Sequence, residues 1–257
     1  MSISRWMTER LKLSALTTGI ECKEICNVID TLLFKPQTRE ESRAKLQIEQ
    51  NQKVLLFGAA KLNDKIKGAD MLFSAIEKSG IKDEIMLLLF GSIKNDDEFL
   101  SRIPCKYRYL GQVNAKEELV QLYSAADMLV VPSHYESLSL VIAESMACGT
   151  PAISFNNAGQ TTLIDHKQNG YLAQYPSVED FADKLPEALA LPFARVMEAA
   201  AMFQNDVVAR GAEWGYGFMM GSLSVWEMVA IYALFALITL VGCSWEEKKM
   251  ITLHINE

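Results

Sequence analysis

Glu136 and Glu144 are separated by seven residues, and Lys61 and Lys67 lie six positions apart in an earlier polar stretch. Carboxylates accept hydrogen bonds from sugar hydroxyls, and ammonium groups neutralise a phosphate leaving group. The polar turn 132–137 followed by the apolar stretch 138–148 predicts a helix opening at about Ser137. The first N–H groups of such a helix lack internal partners and the dipole adds positive charge there, so its N-terminus suits an anion. Glu136, just outside the helix, shares that end with a phosphate only if it faces another group, such as a sugar hydroxyl. Glu144 then lies about 12 Å further along the axis and about 80° round it, near the same face. The pair would touch two ends of an elongated ligand whose diphosphate sits between them. Plainer roles stay open: Glu136 as an acid favoured by the helix dipole, and Glu144, Lys61 and Lys67 as solvated side chains. Lys65 fits a phosphate less well than its neighbours. His134 is a candidate general base without a visible partner to orient it. His166, in the stretch 165–170, reads as a turn residue.

These residues need a scaffold, and the hydrophobic pattern supplies one. Short apolar runs at 53–58, 84–91, 107–111, 128–132 and 151–155 alternate with one-sided helical patterns at 68–78, 115–126 and 137–148, and a short strand follows at Tyr171 and Leu172. That alternation predicts an α/β fold, a Rossmann-like parallel sheet with helices on both faces. Ligands of open parallel sheets sit outside the carboxyl ends of the strands. The loops 58–67 and 133–137 are the chemically richest of those ends.

With 257 residues, half of them apolar, the chain can bury a full-sized core. A formal net charge of −7 gives no basic field, which argues against a nucleic-acid partner. Five cysteines without paired metal-ligand spacing read as reduced thiols in a cytoplasmic protein, and no metal site is expected. Residues 1–16 carry Arg5, Glu9, Arg10 and Lys12, which do not fit the apolar h-region of a secretory signal and predict an amphipathic helix. The run 228–243 holds no charge but falls short of the about 20 apolar residues a bilayer asks for. It is read as an apolar C-terminal helix that either associates with a membrane, with the flanking stretch making 218–243, or packs as a soluble helix or stray tail.

The stretch 127–151, with its two glutamates and its Met-Ala-Cys-Gly-Thr-Pro ending, closely resembles the C-terminal domain of family 4 retaining glycosyltransferases of the GT-B fold. Ile29-Asp-Thr with Phe34-Lys-Pro, Lys67-Gly68, Leu110-Gly-Gln-Val113, Asn169-Gly-Tyr-Leu172 and Asp206-Val-Val-Ala209 follow in the family's order. The resemblance implies that Glu136 contacts the donor sugar and Glu144 the ribose hydroxyls. It places Ser137 and the backbone amides of Leu138, Ser139 and Leu140 along the diphosphate, and Val113 beside the base. Lys61 and Lys67 match the basic positions that stabilise the leaving diphosphate, so neither metal nor cofactor is expected. The implied activity is hexosyl transfer from a nucleoside diphosphate sugar to a glycan or lipid-linked acceptor, in polysaccharide biosynthesis, in the cytoplasm or on the inner membrane face.

Two departures qualify that resemblance. The family's Gly-Gly-x-Pro-Glu stretch is replaced by Ala158-Gly-Gln-Thr-Thr162. The expected domains are 1–36 as the end of an N-terminal domain, 37–192 as the nucleotide-sugar-binding domain, 193–216 as C-terminal helices and 217–257 as the apolar tail. Most of the acceptor half is absent from this list, so the alternatives are a separate N-terminal polypeptide or a truncated, inactive binding module.

Overall fold

Six runs of mostly apolar residues form one fully parallel sheet in the computed structural model, which describes residues 2–189 apart from 26, 28 and 95. The strands are β1 (Lys53–Lys61), β2 (Ile85–Ser92), β3 (Lys106–Tyr109), β4 (Met128–Val131), β5 (Ala152–Phe155) and β6 (Gly170–Ala173). The helices are α1 (Arg5–Leu13), α2 (Arg39–Lys45), α3 (Ala69–Lys78), α4 (Asp96–Leu100), α5 (Lys116–Ala125), α6 (Leu140–Ala147) and α7 (Val178–Leu189). All described residues belong to a compact unit, Met1–Gln204; the expected helices 193–216 and tail 217–257 lie outside them. Among the described residues no helix is long and apolar enough to cross a membrane.

Strand period two explains why β1 is apolar throughout. Leu55 and Phe57 enter a core with Leu72 and Ile76 of α3 and Phe181 and Leu185 of α7, while Val54 and Leu56 enter a second core with Val120 and Tyr123 of α5 and Ile142 of α6. Both faces are therefore covered, as the sequence pattern predicts. The strand order is β3-β2-β1-β4-β5-β6, so the chain builds outward from β1 one way and from β4 the other. Their carboxyl ends frame the crevice where such sheets hold ligands.

The opposite edge of the sheet is tied by ions. Arg43 of α2 is fully buried, donating to the carbonyls of Ala125 (3.0 Å), Gln50 (2.7 Å) and Gln52 (2.8 Å) and pairing with Asp127 (2.8 Å). The same Asp127 oxygen accepts the Val54 N–H at 2.7 Å, and its second oxygen pairs with Arg39. One carboxylate thus joins α2 to the starts of β1 and β4. Removing one partner of a buried pair costs about 3–5 kcal/mol. Asp127→Ala is expected to lose that much in urea unfolding, whereas Lys53→Ala, which breaks the exposed Lys53–Glu84 pair, should lose less than about 1 kcal/mol.

Candidate functional site

The loop from β4 to α6 crosses the crevice between two glycines. A Cβ on Gly68, which has φ +70°, would collide with the Pro132 carbonyl oxygen. One on Gly159 would collide with the carbonyls of Ser137 and Glu136. Hydrogen bonds hold the loop to both neighbours: His134 N–H donates to the Ile66 carbonyl at 2.8 Å, and Gly159 N–H to the Glu136 carbonyl at 2.7 Å. Asn157 Nδ2 donates to the His134 carbonyl at 2.6 Å, and Gln160 Nε2 to the Ser133 carbonyl at 3.1 Å.

That anchoring aims Glu136 at the β1 side. Its Oε1 pairs with Lys67 Nζ at 2.8 Å and accepts from Ser133 Oγ at 2.9 Å. With 14% of its side chain exposed, Glu136 is a largely desolvated charge that needs a partner. Lys67 ends the 3-10 turn Lys65–Lys67, whose Ile66 N–H donates to the Asp64 carboxylate at 3.0 Å. Lys61 is exposed as the last residue of β1, not in the loop expected for it, and forms no ion pair among the described residues. The strand runs three residues beyond the predicted end because Lys61 still pairs with Ser92, past a register shift between Gly58 and Lys61.

The helix opens later than its sequence suggests. α6 starts at Leu140, because Ser139 takes a left-handed conformation (φ 73°, ψ 87°) that no helix continues through. This corrects the expected start at Ser137 and with it the spacing of about 12 Å and 80° between the glutamates, since Glu136 lies outside the helix. Ser139 is buried and makes no capping hydrogen bond, so the amides of the first turn stay open to a ligand. Leu138 is buried as the loop's anchor, while Ser137 and Leu140 are exposed. Val113 is half-buried against the core on the α5–α6 face.

Glu144, in the second turn of α6, faces α5 rather than Glu136. Tyr123 donates to its Oε2 at 2.8 Å. Burial raises its carboxyl above the usual carboxylate range, opposed by the Tyr123 hydrogen bond and by Lys116. Nearby Cys148 is pushed up to about 12 by burial and by Glu144, so it stays a protonated thiol. His134 has the orienting partner its sequence context does not show: its Nδ1 lies 3.0 Å from the Tyr175 hydroxyl. His166 sits in its turn, accepting the Leu172 N–H on Nδ1 at 3.0 Å.

Three buried side-chain oxygens at this edge, on Ser139, Gln160 and Thr162, have no hydrogen-bond partner among the described residues. Buried polar atoms are ordinarily satisfied, so these three stand out among the described residues. Among the described residues no cluster of three or more metal-ligating side chains occurs.

A family model described as glycosyl transferases group 1 matches residues 38–205, more than half of the chain. The chain belongs to that family. A curated relative, the D-inositol 3-phosphate glycosyltransferase of Saccharomonospora viridis, is 29% identical over 184 residues, covering 66% of this chain and 42% of the relative. The chain thus spans less than half the length of this relative. The sucrose-phosphate synthase of Thermosynechococcus elongatus superposes with a TM-score of 0.64 at 25% identity, over 83% of this chain and 58% of that one. HepE of Anabaena, solved in complex with UDP and glucose, gives 0.56 at 19% identity, over 74% of this chain and 57% of that one. The architecture is the Rossmann-like half of a GT-B fold.

In this group 1 glycosyltransferase domain, the departure at Ala158-Gly-Gln-Thr-Thr162 has a physical answer. Ala158 accepts φ 50°, where a glycine would be unstrained, and Gly159 keeps the position where a Cβ has no room. Sequence reasoning finds Lys67 and Glu136 and misses Ser133, Asn157, Gln160, Tyr123 and Tyr175. Ser133, three residues before Glu136, had a local signal; the others become neighbours only through the strand order. Gly68→Ala should destabilise by more than the about 1–2 kcal/mol of a left-handed alanine alone. Gly80→Ala, at φ +75° with nothing within 4 Å, should stay within it, as thermal unfolding would read.

Proposed function

We propose that this chain binds a nucleoside diphosphate sugar at the β1–β4 crevice, as part of a family 4 glycosyltransferase that transfers the sugar with retention to a glycan or lipid-linked acceptor. The observation that carries the proposal is the Lys67–Glu136 pair beside the uncapped start of α6. A diphosphate held by the amides of Leu138, Ser139 and Leu140 draws Lys67 away from Glu136, with Lys61 adding charge from the end of β1. Glu136 then takes a sugar hydroxyl in place of the ammonium group. Ser137 lies between the two, Glu144 receives the ribose, and Val113 flanks the base.

In the transfer, the bond from the anomeric carbon to the diphosphate oxygen breaks and its electron pair leaves with the nucleoside diphosphate. The acceptor oxygen bonds to the anomeric carbon on the same face and its proton is released. Lys67 and the α6 amides stabilise the charge that grows on the diphosphate. The UDP and glucose of HepE's complex, and the name of the curated relative, suggest UDP-glucose as a donor and D-inositol 3-phosphate as an acceptor to include in trials.

Calorimetry with uridine, guanosine and adenosine diphosphate sugars tests the donor site, and no heat from any of them would sink it. Lys67→Gln should weaken both the nucleotide sugar and the bare nucleoside diphosphate, by roughly 10- to 100-fold for a lost charge-assisted contact. Glu136→Gln should weaken only the nucleotide sugar. The bare diphosphate should bind this variant at least as well as wild type, because Lys67 no longer has a partner to leave.

Turnover is a separate question, since the chain spans 42% of its relative. The second reading is a binding module without transfer. Radiolabelled transfer with the chain alone, and with an N-terminal half supplied in trans, distinguishes them; transfer by the chain alone rejects the inert module. Attachment to the inner membrane face through 218–243 belongs to the same proposal, and failure to float with anionic liposomes would remove it.

A further inference from the structure

Tyr123 is fully buried in α5, yet its hydroxyl reaches Glu144 Oε2 at 2.8 Å. The residue is held from several sides. Phe90 packs edge-on at 6.2 Å, Phe34 lies tilted at 6.4 Å, and the Tyr123 carbonyl accepts from Thr150 Oγ1 at 2.6 Å. A side chain so confined keeps its hydroxyl at one point. Burial, with the Glu144 charge, keeps the phenol protonated well beyond neutral pH, so it acts as a donor.

The hydrogen bond does two things to Glu144. It fixes the carboxylate's rotation, leaving Oε1 without a partner among the described residues. It also favours the ionised form against a burial that opposes it. Glu144 stands one turn beyond the α6 start where the diphosphate is placed, so the next part of the ligand to reach it is the pentose. An ionised carboxylate with both oxygens in fixed positions is matched by two adjacent hydroxyls.

We propose that Tyr123 is a positioning residue that orients the Glu144 carboxylate, so that the discrimination of the ribose diol at the proposed donor site depends on the Tyr123 hydroxyl. The proposal rests on the donor-site reading above. A residue acting only on packing would be replaceable by phenylalanine, which keeps the ring and lacks the donor.

The groups facing Glu144 are Tyr123 and Lys116 from α5 and Cys148 at the end of α6. Cys148 stays neutral through the acidic range, so an acidic change in diol recognition reports Glu144. The hydrogen bond favours the carboxylate, and its removal raises the carboxyl further. Diol recognition should then fail at a higher pH as the solution is acidified.

The test is calorimetry between pH 5 and 8 with UDP-glucose and 2′-deoxy-UDP-glucose, on wild type, Tyr123→Phe and Glu144→Gln. Wild type should prefer the ribose form by about tenfold or more, and the preference should shrink on acidification. Tyr123→Phe should lose most of that preference near neutrality, with its acidic limb at higher pH, while binding of the deoxy form stays unchanged. On a Glu144→Gln background, Tyr123→Phe should add nothing. If wild type binds neither sugar nucleotide, the donor reading fails. If wild type binds the two equally at every pH, or Tyr123→Phe keeps both the preference and its pH limb, Tyr123 has no such role. Equal binding of the two by wild type overturns the proposal even where the variant does not fold.

Discussion

The site depends on a steric constraint between backbones. Residues 132–139 leave β4 through a slot whose walls are Gly68 on the β1 side and Gly159 on the β5 side, and neither wall has room for a Cβ. A parallel sheet separates adjacent strands by about 4.8 Å, so loops leaving three neighbouring strands must crowd unless side chains are removed. Glycine removes them. The hydrogen bonds from His134 to Ile66 and from Gly159 to Glu136 then lock the loop with its carboxylate facing Lys67. Precision at the ligand edge comes from main-chain geometry, and the charged side chains inherit it.

The other edge of the sheet is organised by charge. Asp127 accepts from Val54 and pairs with Arg43 and Arg39, which fastens the central two strands at their amino ends. With β1 and β4 fixed there and packed on both faces, the ends carrying Lys67 and Glu136 emerge side by side. The polar network and the glycine slot therefore act on the same two strands from opposite ends.

Much of this was legible in the sequence because it is local. Continuous apolar runs such as 54–57 and the helical spacing of 68–78 carry their own signal, and the polar turn before an apolar helix exposes Glu136. The strand order carries no such signal. Nothing near Tyr123 or Tyr175 shows that the first will meet Glu144 and the second His134, since those contacts join different elements. The helix start was misplaced for a related reason. Ser-Leu-Ser is compatible with a first helical turn, and the left-handed turn at Ser139 is imposed by the loop's passage between the glycines. Lys67-Gly68 shows the converse, a short motif whose glycine is legible only as a pattern until Pro132 is placed against it.

The Lys67–Glu136 pair also bears on what the crevice ignores. A helix start with a bare lysine would attract every small anion in a cell, with inorganic phosphate foremost among them. Here the lysine arrives already neutralised by a carboxylate that water barely reaches. A small anion that captures Lys67 leaves that carboxylate stranded and has nothing to offer it. Only a ligand carrying both negative charge and hydroxyl donors can satisfy the two halves together. In the proposed donor site the pair acts as a filter, tuned less by affinity for a nucleotide sugar than by the penalty it sets on abundant small anions.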